Sequence, residues 1–387
     1  MKKINPIFIL ALMTAVDMIG FGIIFPLLPI MQVKFGMDSR QLGYLASVFA
    51  VSGLVGTILF GYLSDKIGRK ILLYVPFFLL SITYLMTAYA TTYIDLLILR
   101  ALGGFLSGNL SVAFAAASDI SKPEDKFKNM GILGASFGLG FMFGPAIGGF
   151  LAGNSNNLNL VNLQIPFVFA FCITLVSGLI ALLFFKESLS KKDRLEDKTS
   201  NVISSLIEVL KNKKILFFTY LSILLSLILS GVEVYLGPWL KDLFNFTSQD
   251  IGIYWGIFAL CITISQLTLT RFLNAKTAII IGFFVFSASQ FMLLITNNLY
   301  LLGLNTLLMT FAMGIIFPSI NVGISSEGAK NQQGLIFGIN QSVGNIGRIL
   351  GPYILGILYS YHPDYAWIFI GIISIITALF TLKFLQH

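Results

Sequence analysis

The sequence predicts an all-α integral membrane protein of twelve transmembrane helices, arranged as two pseudo-symmetric six-helix halves. Three observations predict it. Mean hydropathy is +0.88, with 56% hydrophobic and only 11% charged residues, a balance outside the soluble globular class. Twelve apolar segments can be drawn, each long enough for the roughly 20 helical residues that cross a bilayer. An internal repeat divides them: Gly144-Pro145-Ala146-Ile147-Gly148-Gly149 in the fifth segment returns as Gly351-Pro352-Tyr353-Ile354-Leu355-Gly356 in the eleventh. Ser118-Asp119 after the fourth likewise returns as Ser326-Glu327 after the tenth.

The first six segments are residues 6–31, 41–63, 71–90, 94–117, 129–152 and 164–185. The second six are 213–238, 251–270, 277–296, 299–326, 333–358 and 364–385. The first is too long for the core of a cleaved signal and reads as a retained helix. Segments 9 and 10 are divided only by Asn297-Asn298. The expected organisation is a six-helix bundle over 1–185, a linker over 186–212 and a second bundle over 213–387. Val202, Ile203, Leu206, Ile207 and Leu210 fall at helical spacing, so the linker's second part reads as a short amphipathic helix on the membrane surface.

Charge fixes an expected orientation. With the N-terminus in the cytoplasm, Lys2, Lys3, Lys66, Arg69, Lys70, Lys122, Lys126, Lys128, the central loop, Arg271, Lys276, Lys330 and Lys383 all fall inside. Outside remain Lys34, Arg40 and Lys241. This asymmetry puts both termini in the cytoplasm of a multi-pass protein of the cell membrane, in a bacterium the inner membrane. The net charge of +8 is therefore membrane topology, not a nucleic-acid surface. Cys172 and Cys261 lie inside apolar runs and His362 and His387 stand apart, so neither a metal site nor a disulfide framework is expected.

Gly61-Tyr62-Leu63-Ser64-Asp65-Lys66-Ile67-Gly68-Arg69-Lys70 reads as a charged turn between segments 2 and 3. Gly61 and Gly68 would allow a sharp reversal and close approach, and Arg69 would bond a carboxylate. The pattern resembles the loop between helices 2 and 3 of the major facilitator superfamily and matches it throughout. Asp17-Met18-Ile19-Gly20-Phe21-Gly22-Ile23-Ile24-Phe25-Pro26-Leu27-Leu28-Pro29 resembles helix 1 of that superfamily's tetracycline and multidrug proton antiporters. Arg100-Ala101-Leu102-Gly103-Gly104-Phe105-Leu106 matches its segment 4 motif in part, with Gly103 in place of a glutamine and Leu106 in place of a glycine. Gly140, Gly144, Pro145, Gly148 and Gly149 match its antiporter motif completely, which implies export and a bent hinge helix at the interface between halves. The resemblance also implies that segments 1, 4, 7 and 10 line a central cavity.

Ionisable groups inside hydrocarbon are expensive, and four stand there: Asp17, Arg100, Glu233 and Arg348. Burial disfavours a charged carboxyl, which suits Asp17 to reversible protonation, although a buried Asp satisfied by a neighbouring helix fits the pattern too. Arg100 shares a face with Gly104, Gly108 and Ser111, a stripe suited to an aqueous wall, but it stands near enough to the outer end to snorkel. Glu233, beside Ser226, Ser230 and Gly237, is open to the same two readings. Arg348 needs an anionic partner, for which Glu233 is one guess. Phe21, Tyr235, Trp239, Gln266, Asn305, Phe317, Asn321, Gln341 and Asn345 are candidates for substrate contact. Asp65, Arg69 and Asp119 are expected to form a cytoplasmic latch that favours an outward-open state.

The resemblance implies a proton-coupled antiporter exporting a small amphipathic organic compound by alternating access, working as a monomer in the lipid bilayer. No G-x-x-x-x-G-K-[ST] occurs, so the expected energy source is an ion gradient and no cofactor. The alternative is a substrate-specific transporter of a sugar, siderophore or other metabolite in the same fold. A membrane enzyme or receptor would need a metal cluster, a nucleophile–base set or an appended soluble domain, and the sequence presents none.

Overall fold

Hydrocarbon offers a backbone no hydrogen-bond partner but itself, so apolar runs of this length fold as helices. In the computed structural model they do. It describes residues 5–122, 124–155, 157, 161–189, 212–269, 273–327 and 333–384; the amphipathic stretch read over 201–210 lies outside them. The helices are α1 (Pro6–Gly22), α2 (Leu28–Lys34), α3 (Ser39–Ile67), α4 (Arg69–Ala88), α5 (Tyr93–Ser107), α6 (Leu110–Ile120), α7 (Lys126–Ala152) and α8 (Gln164–Phe184). After the linker come α9 (Lys213–Phe244), α10 (Ser248–Leu269), α11 (Ala275–Leu293), α12 (Leu299–Glu327), α13 (Gln333–Tyr361) and α14 (Pro363–Phe384). No strand occurs among the described residues.

Ten of the twelve apolar segments are single helices. Segment 1 is α1 and α2 joined by a 3-10 turn over Phe25–Leu27, where Pro26 and Pro29 withhold two backbone donors. Segment 4 breaks between α5 and α6, a break the hydropathy does not show. There Gly108 N and Asn109 N donate to Phe105 O and Leu106 O, three residues back, and the helix restarts from Asn109. Among the described residues, eleven segments, including both of these joined ones, are long and apolar enough to cross a membrane.

The turn read at Gly61–Lys70 is shorter than expected. α3 continues to Ile67, and the reversal is made by Gly68 alone, at φ 108°. Gly61 lies within the helix, and a Cβ there would meet nothing within 4 Å, so the close approach expected of it does not occur.

The chain forms two compact units. The first contains α1, α2, α3 from Tyr44 onward, α4 to α8, and α10 as far as Gly256. The second contains the first turn of α3, α9, the rest of α10, and α11 to α14. Each shows the same internal pairing, which is the duplication made visible. In the first, Gly140, Gly144 and Gly148 of α7 lie against the backbone of α1; in the second, Gly347 and Gly351 of α13 lie against the backbone of α9. α4 packs on α8, and α11 packs on α14, where Ser287 Oγ donates to Gly371 O at 2.8 Å.

Gly140, Gly144 and Gly148 of the antiporter motif thus face segment 1, while Pro145 and Gly149 meet the start of α10, which carries segment 8: the Cβ position of Gly252 lies 2.7 Å from Pro145 O. A Cβ on Gly149 would come within 2.9 Å of Gly252 Cα.

Candidate functional site

Asp17 stands in the middle of α1 with 2% of its surface exposed. Ser107, the last residue of α5, donates its hydroxyl to Asp17 Oδ1 at 3.3 Å. Oδ2 has no partner. The carboxyl faces a pocket lined by Met13, Thr14, Leu73, Phe77, Asn109, Leu110 and Ala113, too narrow to seat a water molecule. Both polar atoms of the Asn109 amide are also buried there without partners. Each such orphan costs roughly 1–3 kcal/mol, and a buried unpaired carboxylate costs more. Ionising the carboxyl in this conformation would leave a buried charge with no partner on Oδ2.

Gly20, one turn on, is held free of a side chain by Tyr84 of α4, whose hydroxyl occupies the place of a Cβ. Tyr84 lies within electrostatic range of both Asp17 and Arg100. The Arg100 guanidinium sits 4.3 Å from the Phe49 ring centroid, a cation–π contact that holds the charge within the unit. The small-residue stripe beside it is not an aqueous wall. Gly104 abuts Phe49 and Ser52 of α3, Gly108 abuts Gly56 and Thr57, and Ser111 donates to Thr57 O at 3.4 Å. Without side chains there, α5 and α6 meet α3 backbone to backbone.

Phe21 centres an aromatic cluster. Its ring lies 5.3 Å from Phe25, 5.3 Å from Phe49 and 6.2 Å from Phe141. Phe25 also meets Trp255, at 6.1 Å. Phe21, Phe49 and Phe141 are half-buried, so aromatic surface remains open one helical turn from Asp17.

At the Gly68 end of the first unit the three latch residues come together. Arg69 reaches Asp65 Oδ1 through Nη2 at 2.7 Å and Asp119 Oδ2 through Nε at 3.0 Å, and Nη1 donates to Ser64 Oγ. Its side chain is only 9% exposed, so the guanidinium depends on these acceptors. Glu187, just past α8, adds a contact that sequence reasoning missed. Its carboxylate accepts from Arg69 N at 2.9 Å and Lys70 N at 3.2 Å, capping α4 where the helix dipole is positive. Ser188 Oγ donates to Asp119 Oδ2 at 3.3 Å. Arg69→Ala is expected to slow transport at least about tenfold, the scale of a lost conformational bias of roughly 1–3 kcal/mol. Arg69→Lys is expected not to restore it, because an ammonium does not fork between two carboxylates. Initial rates in vesicles, normalised to protein content, check both.

In the second unit, Arg348 Nη2 of α13 lies 3.4 Å from Glu233 Oε1 of α9, the partnership guessed from the sequence. The faces of Ser226 and Ser230 are taken up by Gly347 and Gly351. Tyr235 is fully buried, its hydroxyl placed to donate to Ser39 O at 2.9 Å or to Pro352 O at 3.0 Å. Trp239 is buried edge-on to Trp367 of α14. Asn305 is buried against α11, donating to Ser289 O. These three pack helix on helix. Gln266, Asn321 and Asn345 are half-buried, and Phe317 is exposed. The side chain of Gln341 lies outside the described residues. Among the described residues no cluster of His, Cys, Asp and Glu could hold a metal ion.

A family model described as the Major Facilitator Superfamily matches residues 10–275 and 235–386. The chain belongs to that superfamily. Among curated relatives, "Multidrug resistance protein 2" of Bacillus subtilis (strain 168) is 27% identical over 97% of this chain and 95% of its own length. "Quinolone resistance protein NorA" of Staphylococcus aureus (strain MSSA476) is 27% identical over 96% and 95%. Among solved structures, that of "nucleoside transporter NupG" superposes with a TM-score of 0.80 at 16% identity, covering 99% of this chain and 100% of the other. At that identity the likeness is one of fold.

As a Major Facilitator Superfamily member, the protein is a multi-pass membrane transporter of small molecules. The residues that surround Asp17 in it were not legible beforehand. Ser107, which reaches the carboxyl, and Asn109, which lines the same pocket, flank the tight turn at Gly108, and the signal that could have found them was the Gly-Asn pair inside an apolar run. Tyr84 and Glu187 carried no such signal.

Proposed function

We propose that this transporter is a proton-coupled antiporter that exports small amphipathic, aromatic organic compounds by alternating access, with both termini in the cytoplasm. The observation that carries the reading is the buried carboxyl of Asp17, its Oδ2 without a partner, one turn from the half-open aromatic surface of Phe21, Phe49 and Phe141. Planar aromatic cargo stacks on such rings with little directional demand, which suits a broad substrate range. The relatives named for multidrug and quinolone resistance support the same substrate class.

In this cycle Asp17 takes a proton on the outer side and holds it while the carrier closes. Cargo entering from the cytoplasm or inner leaflet finds the aromatic cluster, and proton release to the cytoplasm completes the exchange. The Arg69 cluster biases the carrier toward its outward-open state. The proton gradient is the energy source, with no cofactor, and one chain suffices.

The test uses purified full-length protein in sealed liposomes, with ethidium and a fluoroquinolone as probes. An imposed pH difference is expected to drive uptake of either probe against its gradient, with counterflow of protons. Accumulation indifferent to pH, or driven by sodium instead, overturns the proton coupling. Transport of a sugar but of neither probe overturns the substrate class.

A further inference from the structure

We propose that Asn109 is the switchable hydrogen-bond partner of Asp17, its amide oxygen accepting from the protonated carboxyl and its amide nitrogen donating to the carboxylate. This makes it a positioning residue for proton coupling, and the inference rests on the reading of Asp17 as proton carrier. Three buried polar atoms share the pocket without partners: Asp17 Oδ2, Asn109 Oδ1 and Asn109 Nδ2. Asn109 is 1% exposed. It sits at the N-cap of α6, where an asparagine ordinarily turns back to bond the helix's own N–H groups. Here it makes no such bond, and the residue lines the pocket with both polar atoms of its amide buried.

The chemistry of the pair explains why an amide is used. A carboxylic acid needs an acceptor for its O–H, and a carboxylate needs donors. An amide supplies either by rotating about its last side-chain bond. With no room for water, the amide is the group that can follow the change of charge. The cation alternatives are poorer, because apart from the Thr14 hydroxyl the rest of the lining, Met13, Leu73, Phe77, Leu110 and Ala113, carries no oxygen side chain.

The ionisable group near Asp17 is Tyr84 on α4, which also lies within electrostatic range of Arg100 on α5. α6, α7 and α8 put none into the pocket; Asp119 of α6 is bonded to Arg69. All of these stay in place in the variants that test Asn109.

The experiment measures proton-driven ethidium transport by the full-length protein in liposomes across a range of pH. Asn109→Leu removes both hydrogen bonds at similar volume. Bonds to the charged carboxylate are about twice as strong as neutral ones, so the ionised form loses more. The pH of half-maximal transport is expected to rise by about one unit, with kcat falling at neutral pH and KM for ethidium changed by less than about twofold. Asn109→Ser, whose hydroxyl both donates and accepts, is expected to recover at least half of that shift. A wild-type pH profile in Asn109→Leu overturns the proposal, provided Asp17→Asn has lost its response to the pH difference. If Asp17→Asn keeps that response, the proton-carrier reading itself falls. Should Asn109→Leu not reach the membrane, the infrared carbonyl band of protonated Asp17, identified by its loss in Asp17→Asn, decides the matter: a shift in Asn109→Ser supports the proposal, and an unmoved band overturns it.

Discussion

Asp17→Asn is expected to abolish accumulation against a gradient while leaving downhill movement of the same compound. Asparagine has nearly the shape of aspartic acid and still accepts the Ser107 hydroxyl at the Oδ1 position, so the pocket wall stays in place. What it cannot do is release a proton. Each coupled proton contributes about 1.4 kcal/mol per unit of pH difference, equivalent to a tenfold concentration ratio. Accumulation at a difference of two units is therefore expected to fall about a hundredfold for one proton per cycle, down to the level set by equilibration. Thermal stability is expected to stay equal or to rise, because a neutral amide replaces a group that must at times be charged inside the bundle. Ratios of internal to external ethidium, read with melting curves in detergent, check both halves. An Asp17→Asn protein that still concentrates ethidium removes Asp17 from the coupling step.

Gly144→Leu is expected to disrupt the packing of α7 on α1. A Cβ at residue 144 comes within 2.8 Å of Ile19 O and 3.0 Å of Gly22 Cα, both backbone, which cannot swing aside as a side chain would. Gly22 is reciprocally tight, with its Cβ position 2.8 Å from Pro145 Cδ. A leucine there must push α1 and α7 apart by the width of a methyl group or more. Overpacking of this kind costs typically 1–3 kcal/mol where side chains give way, and more where backbone must move. Separating α1 from α7 also displaces Asp17 and Phe21, which ride on α1. Folded protein in the membrane is expected to fall several-fold, and the fraction that folds is expected to be inactive. Gly134→Leu, on the same helix with nothing within 4 Å of its Cβ, is expected to express normally, which separates a packing effect from added hydrophobicity. Size-exclusion profiles and vesicle transport make the comparison.

How far the site was legible varies with the kind of contact. Arg69, Asp65 and Asp119 were readable because a guanidinium out of water must find carboxylates, and only a few acidic groups lie near its helix ends. Glu233 with Arg348 followed from the same demand. The stripe of Gly104, Gly108 and Ser111 was misread as a watered wall because small residues that line a cavity and small residues that admit a neighbouring backbone look alike in a sequence. Tyr235, Trp239 and Asn305 were offered as cavity groups on polarity alone, and each turned out to be enclosed by helices of its own unit. Polarity says that a group needs a partner. It does not say whether the partner is cargo, water or the next helix.

The amino-acid sequence by itself determined the spans and the duplicated plan, because both are consequences of transferring one helix at a time into hydrocarbon and of repeating a unit. It also determined which ionisable side chains had to be reckoned with. Only the tertiary structure decided what surrounds them. What lies beside Asp17 depends on which residues of α4, α5 and α6 the packing brings against α1. The break at Gly108–Asn109 is held by the close fit of α5 and α6 against α3. That fit involves residues some 50 positions apart, a separation at which hydropathy and local pattern carry no information.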